Sequence, residues 1–232
     1  MNQVTKMGKK KNQEARNKIN LAARKLFAQK GYSNTTTKDI ADEAGCEKTL
    51  VQYYFPKKDD FMTFFLEDML NHTDTYIEKK GLKKNNYFGN LMFIGLVHYA
   101  YLLNSENMKV LTIDIISNRF LTEVMIDMDI NWATNYMKFV PDDEQDDWED
   151  NIAMIMGGAY ELIFRKMSKG KNISPRELIE KSIMLHMTAQ GISTDETNKV
   201  IKNEVLNDDE LNDFVQYLDE ILFTDSYPVM KN

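Results

Sequence analysis

Three histidines (His72, His98 and His186) and one cysteine (Cys46) are the residues of this 232-residue chain best suited to covalent, proton-transfer or metal chemistry. They stand isolated, with no H-E-x-x-H, no P-loop and no G-x-G-x-x-G beside them. No reaction, metal or cofactor is therefore expected, and an enzyme is the least supported class. A lone cysteine provides neither an intramolecular disulfide nor a C-x-x-C zinc pair, so Cys46 is expected to act as a small buried hydrophobe. The chemistry that the sequence does carry is electrostatic. Residues 1–58 hold 13 basic and 5 acidic residues, a net +8, and the remainder holds 16 basic and 31 acidic, a net -15. One end is thus suited to a polyanion, while the other keeps the chain soluble and repels that polyanion. Lys58 adds a local argument. Pro56 reads as the first residue of a helix, and a cation in a first helical turn opposes the dipole unless an anion docks there.

The elements that must position these residues are helical throughout. Ile19, Ala22, Ala23, Leu26 and Phe27 form one amphipathic stripe, which Gly31 ends. Thr36 is a good N-cap with Asp39 three residues on, opening a second helix over about Thr37 to Ala44. Gly45 supplies a turn, and a third short helix runs to about Tyr54. Ile40, Ala41, Ala44, Cys46, Val51 and Tyr54 around that turn have the spacing of a helix-turn-helix, in which Ala41 must be small where the next helix crosses it.

In the same region Ala22-Ala23-Arg24-Lys25-Leu26-Phe27, Gly31-Tyr32, Asp39-Ile40-Ala41, Ala44-Gly45 and Tyr54-Phe55-Pro56-Lys57-Lys58 resemble the N-terminal domain of TetR-family regulators over about residues 14 to 62. The resemblance implies a third helix lying in the major groove of double-stranded DNA, a body that binds a small-molecule effector, and a homodimer joined by a four-helix bundle. It places Lys48, Thr49 and Gln52 toward the DNA, with Lys48 and Thr49 at base edges. Tyr53, Lys58 and the segment Thr36, Thr37 and Lys38 become backbone contacts. The chain departs from the family at Glu47, Thr49, Leu50 and Gln52. Glu47 is a poor cap and brings negative charge toward DNA.

Behind the head, helix starts are expected at Pro141 with Asp142 to Glu144, and at Ser174-Pro175-Arg176-Glu177. The helices at about 149–168 and 174–190 are apolar over a wide arc, which suggests a dimer seam through Ile155, Gly158, Leu162, Ile179 and Ile183. Close helix approach would offset the cost of Gly157 and Gly158 inside a helix. Aromatic and methionine residues, among them Tyr101, Trp132, Tyr136 and Phe164, suit a ligand cavity, with His98 and Asn118 as its polar groups. Further helices follow, at about Glu196 to Glu204 and over Leu211 to Leu222. The apolar run from Leu91 to Leu103 is broken by Gly95 and His98 and is too short to span a bilayer. No secretory h-region is present, so a cytoplasmic protein is expected.

The fold expected is all-α, with a basic arm and three-helix DNA-binding domain over 1–58 and a helical ligand-binding and dimerisation domain with extra C-terminal helices over 59–232. The expected function is a regulator of transcription, a repressor released from a palindromic operator by a small apolar or aromatic ligand. The rival is an architectural or adaptor protein that uses the same head without an inducer.

Overall fold

Gly31 takes φ 87° and Gly45 φ 60°, left-handed backbone that glycine adopts without a steric penalty. Between and around them lie α1 (Gln3–Lys30), α2 (Thr37–Ala44) and α3 (Lys48–Tyr54). The computed structural model describes residues 3–82, 87–137, 145–203 and 206–224, with side chains in α1 from residue 12 onward. Helix α2 begins on the expected cap. Thr36 Oγ1 accepts from Asp39 N at 3.2 Å, and the Asp39 carboxylate accepts from Thr36 N at 2.8 Å. The head core is Ile19, Ala23 and Phe27 from α1, Ile40 and Ala41 from α2, and Val51 from α3, all nearly inaccessible to water. Cys46 is half-buried against this core rather than fully enclosed.

Helix α4 (Asp59–Lys80) starts three residues later than the proline implies. Pro56 lies in the connecting loop because Asp59 and Asp60 supply the carboxylates that suit a helix start. Lys58 is therefore the residue before the helix and not a cation inside its first turn. From α4, Phe61 stacks on Phe55 with ring centroids 4.1 Å apart, so the head core reaches past residue 58.

The rest is helical: α5 (Tyr87–Asn104), α6 (Met108–Ser117), α7 (Arg119–Met137), α8 (Gln145–Met167), α9 (Pro175–Ala189), α10 (Thr194–Asn203) and α11 (Asp208–Phe223). Among the described residues there is no strand and no helix long and apolar enough to cross a membrane. Ser174 caps α9 as expected, its Oγ accepting from Glu177 N at 3.0 Å. Pro141 and Asp142 to Glu144 lie outside the described residues. Helix α5 is buried on nearly every side, packed on α6, α7, α9, α10 and α11. Its Gly95 admits α9: a Cβ there would lie 2.3 Å from Ile179 Cδ1. Gly157 and Gly158 show no such approach within the subunit, since a Cβ on either would meet nothing within 4 Å.

Head and body are joined by buried and partly buried polar contacts. The Arg24 guanidinium of α1 pairs with Asp68 of α4 and donates to the Leu222 carbonyl of α11 at 3.4 Å. Tyr32 donates its backbone N–H to Asp114 of α6 and its hydroxyl to Asp59.

Candidate nucleic-acid interface and body cavity

Helix α3 turns Val51 fully inward and leaves Lys48, Thr49, Leu50, Gln52 and Tyr53 on the surface, with Tyr53 71% exposed. Glu47 at its N-cap makes no side-chain capping bond, as its chemistry leads one to expect. Tyr54 is half-buried and donates its hydroxyl to Asn12 Oδ1 of α1 at 3.3 Å, which fixes the C-terminal end of α3 against the first helix. The start of α2 adds exposed Thr36 and Lys38 and half-buried Thr37. The Thr36 hydroxyl is occupied, accepting from Asp39 N and donating to the Asp39 carboxylate at 2.9 Å. Lys30 and Thr36 hold the Asp39 carboxyl well below its usual range.

Lys58 differs from the other lysines of this face. Its ammonium lies 4.1 Å from the centre of the Tyr32 ring, and burial lowers its pKa against the opposing pull of Asp114 and Asp59. The anion expected at the start of α4 is supplied by the chain itself, as Asp59 and Asp60. No dipole argument is left for a phosphate at Lys58.

The body holds a partly open cavity of about 60 Å³ between α5, α7, α8 and α9. Its wall is mainly apolar, from Ile94, Tyr99, Ile152, Met156, Ile179 and Ile183, with His98, Asp129, Trp132, Ser182 and His186 as polar groups. His98 Nε2 stands 3.1 Å from the Tyr160 hydroxyl, which donates to Asp129 Oδ2 at 2.9 Å. His98 Nε2 lies 3.5 Å from the same carboxylate oxygen. Burial raises the Asp129 pKa, and His98 and Tyr160 act against that rise. Trp132 donates its indole N–H to Asp74 of α4, linking the cavity wall to the helix that begins beside the head.

Of the residues expected to bind a ligand, the fold brings His98 and Trp132 to the cavity. Tyr101 instead donates to Asp219 of α11 at 3.1 Å and borders a separate void of about 10 Å³. Asn118 is a capping residue, its Oδ1 accepting from Phe120 N at 3.1 Å where α7 begins. Phe164 lies on the surface of α8, 37% exposed. The Tyr136 side chain is outside the described residues. Asp129, Ser182 and His186 join the cavity without having been expected there. Ser182 and His186 stand four residues apart on one face of α9, a spacing legible in the sequence, whereas Asp129 comes from α7 and only packing brings it to them.

The seam residues also divide. Ile179 and Ile183 are buried in their own subunit and line the cavity, because α9 uses that arc to pack on α5 at Gly95. They are not available to a partner. Ile155 is half-buried and also lines the cavity, Leu162 is half-buried, and Gly158 is exposed. The most exposed large apolar side chains of α8 and α9 are Met154, 75% exposed, and Leu185, 65% exposed.

Residues 19–63 match the family described as bacterial regulatory proteins, tetR family. The chain is also similar to the HTH-type transcriptional regulator HbdR of Aromatoleum sp. (strain CIB), 42% identical over 64 residues. That alignment spans 28% of this chain and 27% of the relative, so the likeness is confined to about a quarter of either protein. The helix-turn-helix of α2 and α3 supported on α1 is thus a head of the type found in the tetR family of bacterial regulatory proteins.

Proposed function

We propose that the protein is a homodimeric repressor of transcription that leaves a palindromic operator when a small apolar or aromatic molecule enters its body. The observation that carries this reading is the outward face of α3, where Lys48, Thr49, Gln52 and Tyr53 stand on a helix whose other side is locked into the head core. Lys48 and Thr49 read base edges in the major groove, Gln52 joins them, and Tyr53 with Lys38 and the backbone of Thr36 and Thr37 holds phosphates. Two heads in a closed two-fold dimer require half-sites about one helical turn apart, or a multiple of it.

The effector acts through differential affinity for two arrangements of the heads, and a preference of about 100-fold is worth roughly 2.7 kcal/mol. Helix α4 is the lever, since it begins at the head and carries Asp74, the partner of the cavity's Trp132. Footprinting of genomic DNA tests the reading: a few protected palindromic promoter sites are expected. Equal affinity for an operator and for random DNA across a salt series rejects it. The small volume of the cavity, about 60 Å³, favours a second reading, an architectural or adaptor protein without an inducer. Many dispersed footprints would mark that outcome.

A further inference from the structure

The polar groups of the body cavity point to the chemistry of its ligand, an inference that rests on the effector reading above. His186 is 1% exposed and lines the cavity. Its Nε2 lies 3.2 Å from the Tyr87 hydroxyl and 3.2 Å from Gln190 Nε2. The Trp148 indole N–H donates to that same Tyr87 oxygen. An indole N–H is only a donor, so the Tyr87 oxygen accepts from Trp148 and its own hydrogen is left for His186. His186 Nε2 is then the acceptor, with Tyr87 and Gln190 both donating to it. The proton of a neutral imidazole must accordingly sit on Nδ1. Burial lowers the pKa of His186, which keeps the ring neutral. Among the described residues His186 Nδ1 has no hydrogen-bond partner.

Tyr87 and Gln190, which hold the Nε2 edge, and Trp148 behind Tyr87 are not among the residues that line the cavity, whereas His186 is. A buried N–H with no acceptor costs free energy that a ligand oxygen would recover. The remaining polar groups argue against a charged ligand. The Asp129 carboxylate is engaged by His98 and Tyr160, and among the described residues no lysine or arginine lines the wall to meet an anion. An unpaired charge among Ile94, Ile152 and Ile179 would carry a large desolvation penalty.

We propose that the cavity binds a small uncharged molecule whose apolar frame carries a hydrogen-bond acceptor, a ketone, ester or ether oxygen, seated on the Nδ1–H of His186. A cavity of about 150 Å³ accommodates benzene, so at about 60 Å³ the ligand is either smaller than benzene or displaces Met156, whose unbranched side chain readjusts readily.

The test compares matched pairs on the full-length protein: cyclopentanone against methylcyclopentane, and acetophenone against ethylbenzene. Calorimetric or NMR titration should give the ketone at least about tenfold tighter binding than its hydrocarbon twin, because only the ketone satisfies the buried donor. His186→Phe should abolish that preference while still admitting the hydrocarbon. The imidazole nitrogen shifts of His186 provide a readout that needs no variant. They should report a protonated Nδ1 in the free protein and move when the ketone is added. Equal affinity for both members of each pair, or a proton found on Nε2, overturns the acceptor class and leaves the effector cavity standing. Binding of neither member overturns the acceptor class and the effector reading together.

Discussion

At the scale of single residues, buried histidines set a pH dependence that can be measured. Burial holds both His72 and His186 below the ordinary histidine value of 6.5. The unfolded chain then binds protons that the folded one refuses. Their contribution to stability is therefore complete above pH 6.5 and declines as pH falls below it. Asp129, raised by burial, works in the opposite sense, gaining stability on acidification, so the wild-type profile alone does not isolate the histidines. Thermal denaturation of His186→Phe should show a smaller loss of Tm between pH 7 and 5.5 than the wild type. An unchanged pH profile would contradict the neutral ring. On the DNA face, Lys48→Ala should reduce discrimination at particular base pairs by about 1–3 kcal/mol in competitive binding. Lys38→Ala should weaken all sequences alike and lower the salt slope by about 0.9. Lys58→Ala should also lower head stability, by about 0.5–1 kcal/mol from the lost contact with Tyr32.

At the scale of elements, the Arg24–Asp68 pair decides how firmly the head is fastened. Arg24→Met removes the cation beside a buried carboxylate and should cost about 3–5 kcal/mol in denaturant unfolding, whereas Arg24→Met with Asp68→Leu should restore most of it. Deleting residues 2–11, which carry Lys6, Lys9, Lys10 and Lys11, should lower the salt slope by about 0.9 for each lysine that meets a phosphate. Helix starts were legible where their chemistry is local, at Thr36 with Asp39 and at Ser174 with Pro175. Pro56 misled because two competing local rules meet within four residues, and the carboxylates of Asp59 and Asp60 prevailed. Asn118 was read as a ligand group when its oxygen serves the first turn of α7, a role that depends on where α6 stops. The chain-distant set of His98, Asp129 and Tyr160 was beyond any periodicity, since only the packing of α5, α7 and α8 brings it together.

At the scale of the whole molecule, a wide apolar arc indicates that a helix has two partners but not which residues face which. The glycine at position 95 settles that for α9 by drawing Ile179 inward. In the proposed dimer, the surface left for a second subunit would carry Met154, Gly158 and Leu185. Leu185→Glu or Met154→Glu should therefore yield folded monomers in sedimentation analysis. Ile183→Glu should instead lose helical circular dichroism, because it places a charge in the subunit's own interior. A stable dimer in both surface variants would move the seam elsewhere. Such monomers should also bind an operator far more weakly than the dimer, since each head then meets its half-site alone.

The chain has two tryptophans, one in the cavity wall and one behind it. Trp132 lines it and donates to Asp74, and Trp148 is one hydrogen bond from Tyr87, which in turn contacts His186. Indole fluorescence responds to the polarity and hydrogen bonding around the ring, so the emission of the unlabelled protein is an optical gauge of what occupies the body. Trp132→Phe and Trp148→Phe would separate the two reporters, one coupled to the lever helix and one to the histidine. Read in a stopped-flow instrument beside DNA release, their order of response would give the direction in which the change travels.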